Sequence, residues 1–218
     1  MTRAFKDRTE AGRTLAAALT AKYGGLPDVI VLALPRGGVP VGFEVAEELK
    51  APLDVMIVRK LGAPGQEELA IGAIASGGAR VLNHDVVYSL GLSEEQIEEI
   101  AAREERELQR REISYRGGRP PLNLRDHTVI LVDDGLATGA SMKAAVLAVR
   151  EQSPKSVVVA VPVGAPESCA RFQNIADDVV CAEQPEVFFA VGAWYDNFAQ
   201  TTDEEVHELL ERAAHAHP

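Results

Sequence analysis

Two adjacent carboxylates, Asp133 and Asp134, stand between an aliphatic run, Val129-Ile130-Leu131-Val132, and a segment of small residues, Gly135-Leu136-Ala137-Thr138-Gly139-Ala140-Ser141. The aliphatic run suits a strand covered on both faces of a parallel sheet, and residues 142–149 carry the alanine-rich pattern of a helix. The turn between them is an anion site. Thr138, Gly139, Ala140 and Ser141 offer backbone N–H groups and two hydroxyls at a helix N-terminus, where the macrodipole also favours phosphate. Asp133 and Asp134, one step earlier, are placed to accept hydrogen bonds from vicinal ribose hydroxyls. The segment as a whole reads as a cradle for a ribose 5-phosphate.

Cations follow two other predicted strands. Residues 28–34 (DVIVLAL) form one, followed by Pro35-Arg36-Gly37-Gly38-Val39-Pro40 and a helical pattern over 41–49. Strand, glycine turn and helix is again an anion-binding layout. A third strand over 53–58 ends in Arg59-Lys60, at the carboxyl end where ligands of open α/β sheets bind. Aromatics, scarce elsewhere, gather in residues 185–196. They belong either to a hood over the site or to a core cluster of Phe188, Phe189, Trp194 and Phe198.

The segment 129–141 resembles the binding motif for phosphoribosyl pyrophosphate (PRPP) of the type I phosphoribosyltransferases. That motif runs aliphatic strand, acidic pair, two variable residues, then small-Thr-Gly-x-Ser/Thr; Gly135 departs from the aliphatic residue common at its place. The whole chain is also similar to a bacterial family of predicted phosphoribosyltransferases. The resemblance implies that Pro35, Arg36, Gly37 and Gly38 form the loop that holds pyrophosphate through backbone N–H groups and one basic side chain. Family members often carry a non-proline cis peptide there, which maps to Pro35-Arg36 and costs about 3 kcal/mol. Arg59 and Lys60 resemble the cations that hold the leaving pyrophosphate, with Lys60 neutralising charge as it develops. Segment 185–196 is similar to the hood of hypoxanthine-guanine phosphoribosyltransferases, with Phe189 stacking on the base, Val191-Gly192 as the turn and Asp196 reaching metal-pyrophosphate through water.

The implied activity is transfer of 5-phosphoribosyl from PRPP to an acceptor, a nucleobase nitrogen, with release of pyrophosphate. Mg²⁺ is the implied cofactor, carried mainly by substrate oxygens, with Asp133, Asp134 and Asp196 helping through water or ribose contacts. Two departures narrow the acceptor. Ala137 replaces the Asp proposed to protonate a purine, as in adenine phosphoribosyltransferases, and Gly164 replaces the Lys that reads a 6-oxo group. The rival reading is a PRPP-sensing regulator that has lost turnover, for which those two positions argue and Arg36, Arg59 and Lys60 do not.

The elements that must position these residues follow a recognisable order. A helical pattern over 9–23 stops at Gly24-Gly25, and strand, helix, strand, long excursion, strand, helix, strand is the order of a doubly wound parallel sheet. The expectation is therefore an α/β fold, Rossmann-like, as one domain over 1–218. Residues 183–200 would be the hood, and residues 61–125 a flexible-loop excursion or small lobe. Within that excursion, residues 69–75 read as a strand, and Ser93 caps a helix to about residue 111 with Gln96 at capping-box spacing. Residues 114–121 are flexible by composition. The family's mobile lid falls in this interval, which puts Tyr115 and Arg116 at its tip; such a lid shields an oxocarbenium-like ribose from water. Glu67 and Glu68 are exposed loop carboxylates by default, or sit over the ribose or base.

Composition bounds the alternatives. With 218 residues, 46% hydrophobic and 25% charged, the chain can bury one sizeable core. No apolar run approaches the roughly 20 residues needed to span a bilayer, and residues 1–8 are charged rather than signal-like, so a cytoplasmic location is expected. The net charge of −11 argues against a nucleic-acid partner. Arg103, Arg106, Arg110, Arg111, Arg116 and Arg119 interleave with glutamates as on a solvated helix. Cys169 and Cys181 are expected as reduced packing residues, and His207, His215 and His217, on or after a last helix over 202–214, as solvent-facing. By resemblance the chain is a homo-oligomer that binds PRPP and a small-molecule acceptor.

Overall fold

Burial on both faces explains why the aliphatic strands become the centre of the fold. The computed structural model describes residues 5–216, apart from the side chains of Glu67 and Glu68. The expectations for those two carboxylates and for His217 thus lie outside the described residues. Strands β1 (Val29–Ala33), β2 (Leu53–Val55), β6 (Thr128–Val132), β7 (Ser156–Val163) and β8 (Asp178–Glu183) form one parallel sheet in the order β2-β1-β6-β7-β8. Val31 and Ala33 of β1 and Ile130 and Val132 of β6 share a core with Leu15 and Leu19 of α1 (Arg8–Tyr23) and Val41 and Val45 of α2 (Gly38–Leu49). The alternate residues, Ile30, Leu32, Val129 and Leu131, pack with Met142 and Val146 of α5 (Ala140–Glu151) and Phe172 of α6 (Pro166–Phe172). Helices on both faces make the sheet doubly wound, as expected.

From β1 the chain passes to β2 on one side, whereas β6 lies on the other. Loops leaving the carboxyl ends of β1 and β6 therefore diverge and open the crevice in which ligands of such sheets bind. Residues 35–37 and 133–139, the two predicted anion loops, flank that crevice.

Around residue 56 the structure corrects the sequence reading. The third core strand stops at Val55, and Arg59 and Lys60 lie inside β3 (Val58–Ala63), which leaves the parallel sheet. It pairs antiparallel with β4 (Gln66–Ala75), itself paired with β5 (Arg80–Leu82). The switch is made at Ile57, whose N–H donates to Ser76 Oγ (3.0 Å) and whose carbonyl accepts from Ser76 N–H (2.9 Å). With α3 (His84–Ser89) and α4 (Glu94–Arg116), this excursion is a structured lobe.

The predicted lid tip is also corrected. Ser93 and Gln96 form the capping box, but α4 continues to Arg116. Tyr115 is 2% exposed and donates to Asp203 Oδ1 (2.6 Å), while Arg116 is buried on Asp54 (2.9 Å) and Glu112 (3.0 Å). A flexible composition was overruled by a buried ion pair that anchors the last turn. Higher on α4, Glu107 accepts from Arg110 and Arg111, which hold its carboxyl down to about 2. On α7 (Asp203–Ala216), His215 is exposed and His207 is half-buried beside Glu211 (3.3 Å).

Cys169 and Cys181, expected to be reduced, form a disulfide between α6 and β8 with Cα atoms 6.7 Å apart. Their strand and helix face each other across the sheet edge, which sequence spacing does not reveal. Among the described residues, no helix is long and apolar enough to cross a membrane.

Candidate active site

The loop after β6 owes its shape to residues outside the motif. Leu136 is held in the sheet's extension, its N–H on Val163 O (2.9 Å) and its carbonyl on Ala165 N–H (2.9 Å). Ser168 Oγ then donates to Ala137 O (2.5 Å), and Arg171 Nη2 donates to Ser168 Oγ (2.8 Å) and Thr138 O (3.5 Å). In a trans peptide the N–H points opposite the carbonyl. Tying the Ala137 and Thr138 carbonyls back to α6 therefore turns the N–H groups of Thr138 and Gly139 outward. Gly139 caps α5, and Ala140 and Ser141 open it, so their N–H groups have no acceptor inside the helix. Ala137, Thr138, Ala140 and Ser141 are exposed or half-buried at this mouth. The arrangement is a ready anion cradle at a positive helix end.

Gly37 brings the second loop against the acidic pair. A Cβ at Gly37 would lie 2.1 Å from Asp134 Oδ2, so only glycine allows this approach. Leu34 N–H donates to Val132 O (2.8 Å), which continues the β1–β6 pairing up to the two loops, and Gly38 begins α2. The Pro35-Arg36 peptide is cis, as the resemblance implied. Arg36 lies at the surface of this loop, its guanidinium 3.8 Å from Asp203 Oδ1. Asp133 and Asp134 are both half-buried, and Asp133 Oδ1 accepts from Asp134 N–H (2.8 Å). Burial and the neighbouring Asp134 charge push the Asp133 carboxyl well above the ordinary range. Burial also raises Asp134, against the pull of Arg8.

Arg8 had no place in the sequence reading. It lies 126 residues from Asp134, yet its Nε and Nη2 donate to Asp134 Oδ2 at 2.9 and 2.8 Å. Ser168 and Arg171 were missed for the same reason, because polar residues on predicted helices carry no signal of the distant loop they serve.

The other predicted residues divide into two groups. Arg59 pairs with Glu104 on α4 (2.6 Å) and belongs to the lobe in this arrangement. Lys60 is exposed and lines a cavity of about 550 Å³ with Ala140, Ser141, Lys143 and His84, facing the start of α5. Arg36, Gly37 and Gly38 do not line that cavity. In the hood, Val191–Trp194 forms a short 3-10 helix, and Tyr195 is buried with its hydroxyl on Asp134 O (2.6 Å). Phe188 and Trp194 pack beside Phe5 and Tyr195, whereas Phe189 stays 89% exposed. The aromatic cluster therefore exists without Phe189. Asp196 is exposed, and its N–H donates to Phe5 O (2.8 Å).

The acidic residues fit a divalent cation only as partial ligands. Among the described residues no three His, Cys, Asp or Glu side chains converge to hold a metal by themselves. Asp133, half-buried at the crevice, and the exposed Asp196 suit a cation that keeps water and phosphate oxygens as ligands.

Comparison with known proteins agrees with this geometry. The family model for the phosphoribosyl transferase domain matches residues 3–197. The chain is 50% identical over 209 residues to two Mycobacterium tuberculosis proteins, "Putative phosphoribosyl transferase Rv0571c" and "Putative phosphoribosyl transferase MT0597". That alignment covers 96% of this chain and 47% of each relative, so the chain spans about half the length of the curated relatives it matches. The crystal structure of TT1426 from Thermus thermophilus is 45% identical, with a TM-score of 0.84 over 96% of this chain and 98% of that one. With the acidic pair, the 138–141 turn and the cis loop all following carboxyl ends of the parallel strands β1 and β6, and the family match running from residue 3 to 197, the chain belongs to the phosphoribosyl transferase domain family.

Proposed function

We propose that the chain transfers 5-phosphoribosyl from PRPP to an acceptor, a nucleobase nitrogen, with release of pyrophosphate. The observation that carries this reading is the close approach of Gly37 to Asp134, which brings the 35–38 loop against the acidic pair, beside the turn that opens α5. In this reading they take the three parts of PRPP in order. Asp133 accepts from the ribose hydroxyls, the 138–141 turn holds the 5-phosphate, and Arg36 with Gly37 and Gly38 holds the pyrophosphate. The C1–O bond to pyrophosphate breaks with its electrons leaving on oxygen, a C1–N bond forms, and the acceptor N–H proton passes to water.

Arg36 neutralises charge on the departing group, where preorganised cations contribute most. Lys60, on a hairpin of the lobe, faces the 138–141 turn and offsets charge on the 5-phosphate end of the substrate. Mg²⁺, when bound on the substrate oxygens, supplies further charge neutralisation at the pyrophosphate. Phe189, exposed next to the hood turn, is available to stack on a base, and Asp196 acts through water. The functional unit in this reading is a cytoplasmic homo-oligomer.

A specific observation favours the second reading, a PRPP sensor. A Cβ at Gly164 would lie 2.5 Å from Cys169 Sγ, so no base-reading side chain fits there, and Ala137 offers no proton. The test is pyrophosphate release from Mg-PRPP across purine, pyrimidine and pyridine bases, with Arg36→Ala as control. Base-dependent release that Arg36→Ala abolishes is expected. PRPP binding with no release for any base would instead support the sensor, and no PRPP binding would overturn both.

A further inference from the structure

Four segments distant in the chain meet at one guanidinium. Arg8 gives Nε and Nη2 to Asp134 Oδ2 and Nη1 to Ala199 O (2.7 Å), and it stacks 4.1 Å from the centre of the Phe198 ring. The hood returns the contact through Tyr195, whose hydroxyl donates to Asp134 O. Around them the chain before α1 is laced to the hood by Phe5 N–H on Trp194 O (2.8 Å), Asp196 N–H on Phe5 O (2.8 Å) and Asn197 N–H on Lys6 O (3.0 Å). Gly37 packs against the same carboxylate oxygen, Asp134 Oδ2.

We infer that Arg8 is a positioning residue which couples the ribose-binding acidic pair to the hood, leaving Asp133 to address the ribose while Asp134 serves as the anchor of the clasp. The geometry divides two otherwise similar carboxylates. Asp134 Oδ2 is spent on Arg8 and packed on Gly37, whereas Asp133 receives only the N–H of its neighbour among the hydrogen bonds of the described residues. A planar, forked cation is required, because one group must grip a carboxylate with two donors, reach a carbonyl with a third and lie flat on a ring. Lysine can do only one of these at a time. Substrate seated on Asp133 stiffens the strand end that carries Asp134, and through Arg8 it orders residues 195–199 over the acceptor.

The inference rests on the PRPP reading, and the experiment separates the two. Amide hydrogen exchange of residues 194–199 is measured in the wild-type chain, in Arg8→Ala, Arg8→Lys and Asp134→Asn, and in the double variant Arg8→Ala with Asp134→Asn, without ligand and with Mg-PRPP, whose affinity is read by calorimetry. Without ligand, Arg8→Ala and Asp134→Asn each speed hood exchange roughly tenfold, corresponding to ~1.4 kcal/mol, and the double variant is no faster than either. Mg-PRPP slows hood exchange in the wild type, slows it partly in Arg8→Lys and leaves it unchanged in Arg8→Ala. Unaltered exchange in Arg8→Ala, additive effects in the double variant, or full protection of Arg8→Ala by Mg-PRPP would each overturn the clasp. Should Arg8→Ala not fold, Arg8→Lys decides: wild-type hood protection in it overturns the inference. A wild-type chain that does not bind Mg-PRPP overturns the transferase reading and the coupling role with it, even if the ligand-free arm behaves as described.

Discussion

Val191 occupies the space that a side chain on Gly135 would need: a Cβ there would lie 2.5 Å from Val191 Cγ1 and 2.8 Å from Cγ2. The hood turn is therefore seated directly on the loop after the acidic pair. This accounts for glycine at the one motif position that departs from the family's aliphatic residue. Gly135→Ala should force the two apart, lowering stability by about 1–3 kcal/mol as overpacking does, and raising the acceptor KM. Val191→Ala in the same chain leaves only a Cβ contact of 3.2 Å and should restore most of both, as read by urea denaturation and pyrophosphate release.

Asp133 should trade stability for function. Its folded carboxyl is raised above its unfolded value, so its contribution to stability is fully present below the unfolded pKa of about 3.9 and is lost as pH rises through the folded value. Ionised Asp133 is thus a cost near neutrality. Asp133→Asn is expected to raise stability at pH 7, with no gain at the acid end, and to abolish transfer. For the wild type, kcat/KM for PRPP should fall on acidification at a pH above that of an ordinary aspartate. Paired denaturation curves and a pH-rate profile check both statements.

The pair of Asp54 and Arg116 should matter for folding and not for turnover. Both side chains are at least nine-tenths buried, and Asp54 also accepts the Leu122 N–H (3.4 Å). Arg116→Ala would strand a buried carboxylate and cost about 3–5 kcal/mol, with little change in KM for PRPP. A mobile lid tip would show the reverse, a raised KM in a chain of wild-type stability. Urea titration and steady-state kinetics on the one variant distinguish these.

Reduction should weaken the platform under the phosphate loop. Cys169 and Cys181 close a short loop, with a sequence separation of 12, and Cys169 lies on α6 beside Ser168, which holds the Ala137 carbonyl. Loss of a cross-link of this length costs about 3 kcal/mol in the chain-entropy account. Cys181→Ser, or wild type in dithiothreitol, should melt earlier and bind Mg-PRPP more weakly than the oxidised protein; a thermal melt and calorimetry with and without reductant test this.

Local chemistry makes much of this protein legible from the chain alone. An aliphatic run ending in Asp133-Asp134, with small residues opening a helix after it, identifies a buried parallel strand and an anion turn by sequence neighbours. The same holds for the strand before Arg36-Gly37-Gly38 and for the Ser93 capping box, whose partners lie within a few residues. Propensity, periodicity and capping are short-range effects, so a linear reading captures them.

Whatever depended on residues far apart in the chain was decided by the tertiary structure. The path of Arg59 and Lys60 was fixed by the turn after β4 that carries Ser76, and the order of Tyr115 and Arg116 by Asp203 and Asp54. Cys169 met Cys181 only because α6 and β8 lie side by side, and Arg8 reached Asp134 only because α1 begins beneath the hood. Burial sets the strength of a charge pair, and burial is a property of the packed chain. The sequence by itself determined which residues could bind a phosphorylated ribose; packing decided which of them are held for it and which are spent holding the others.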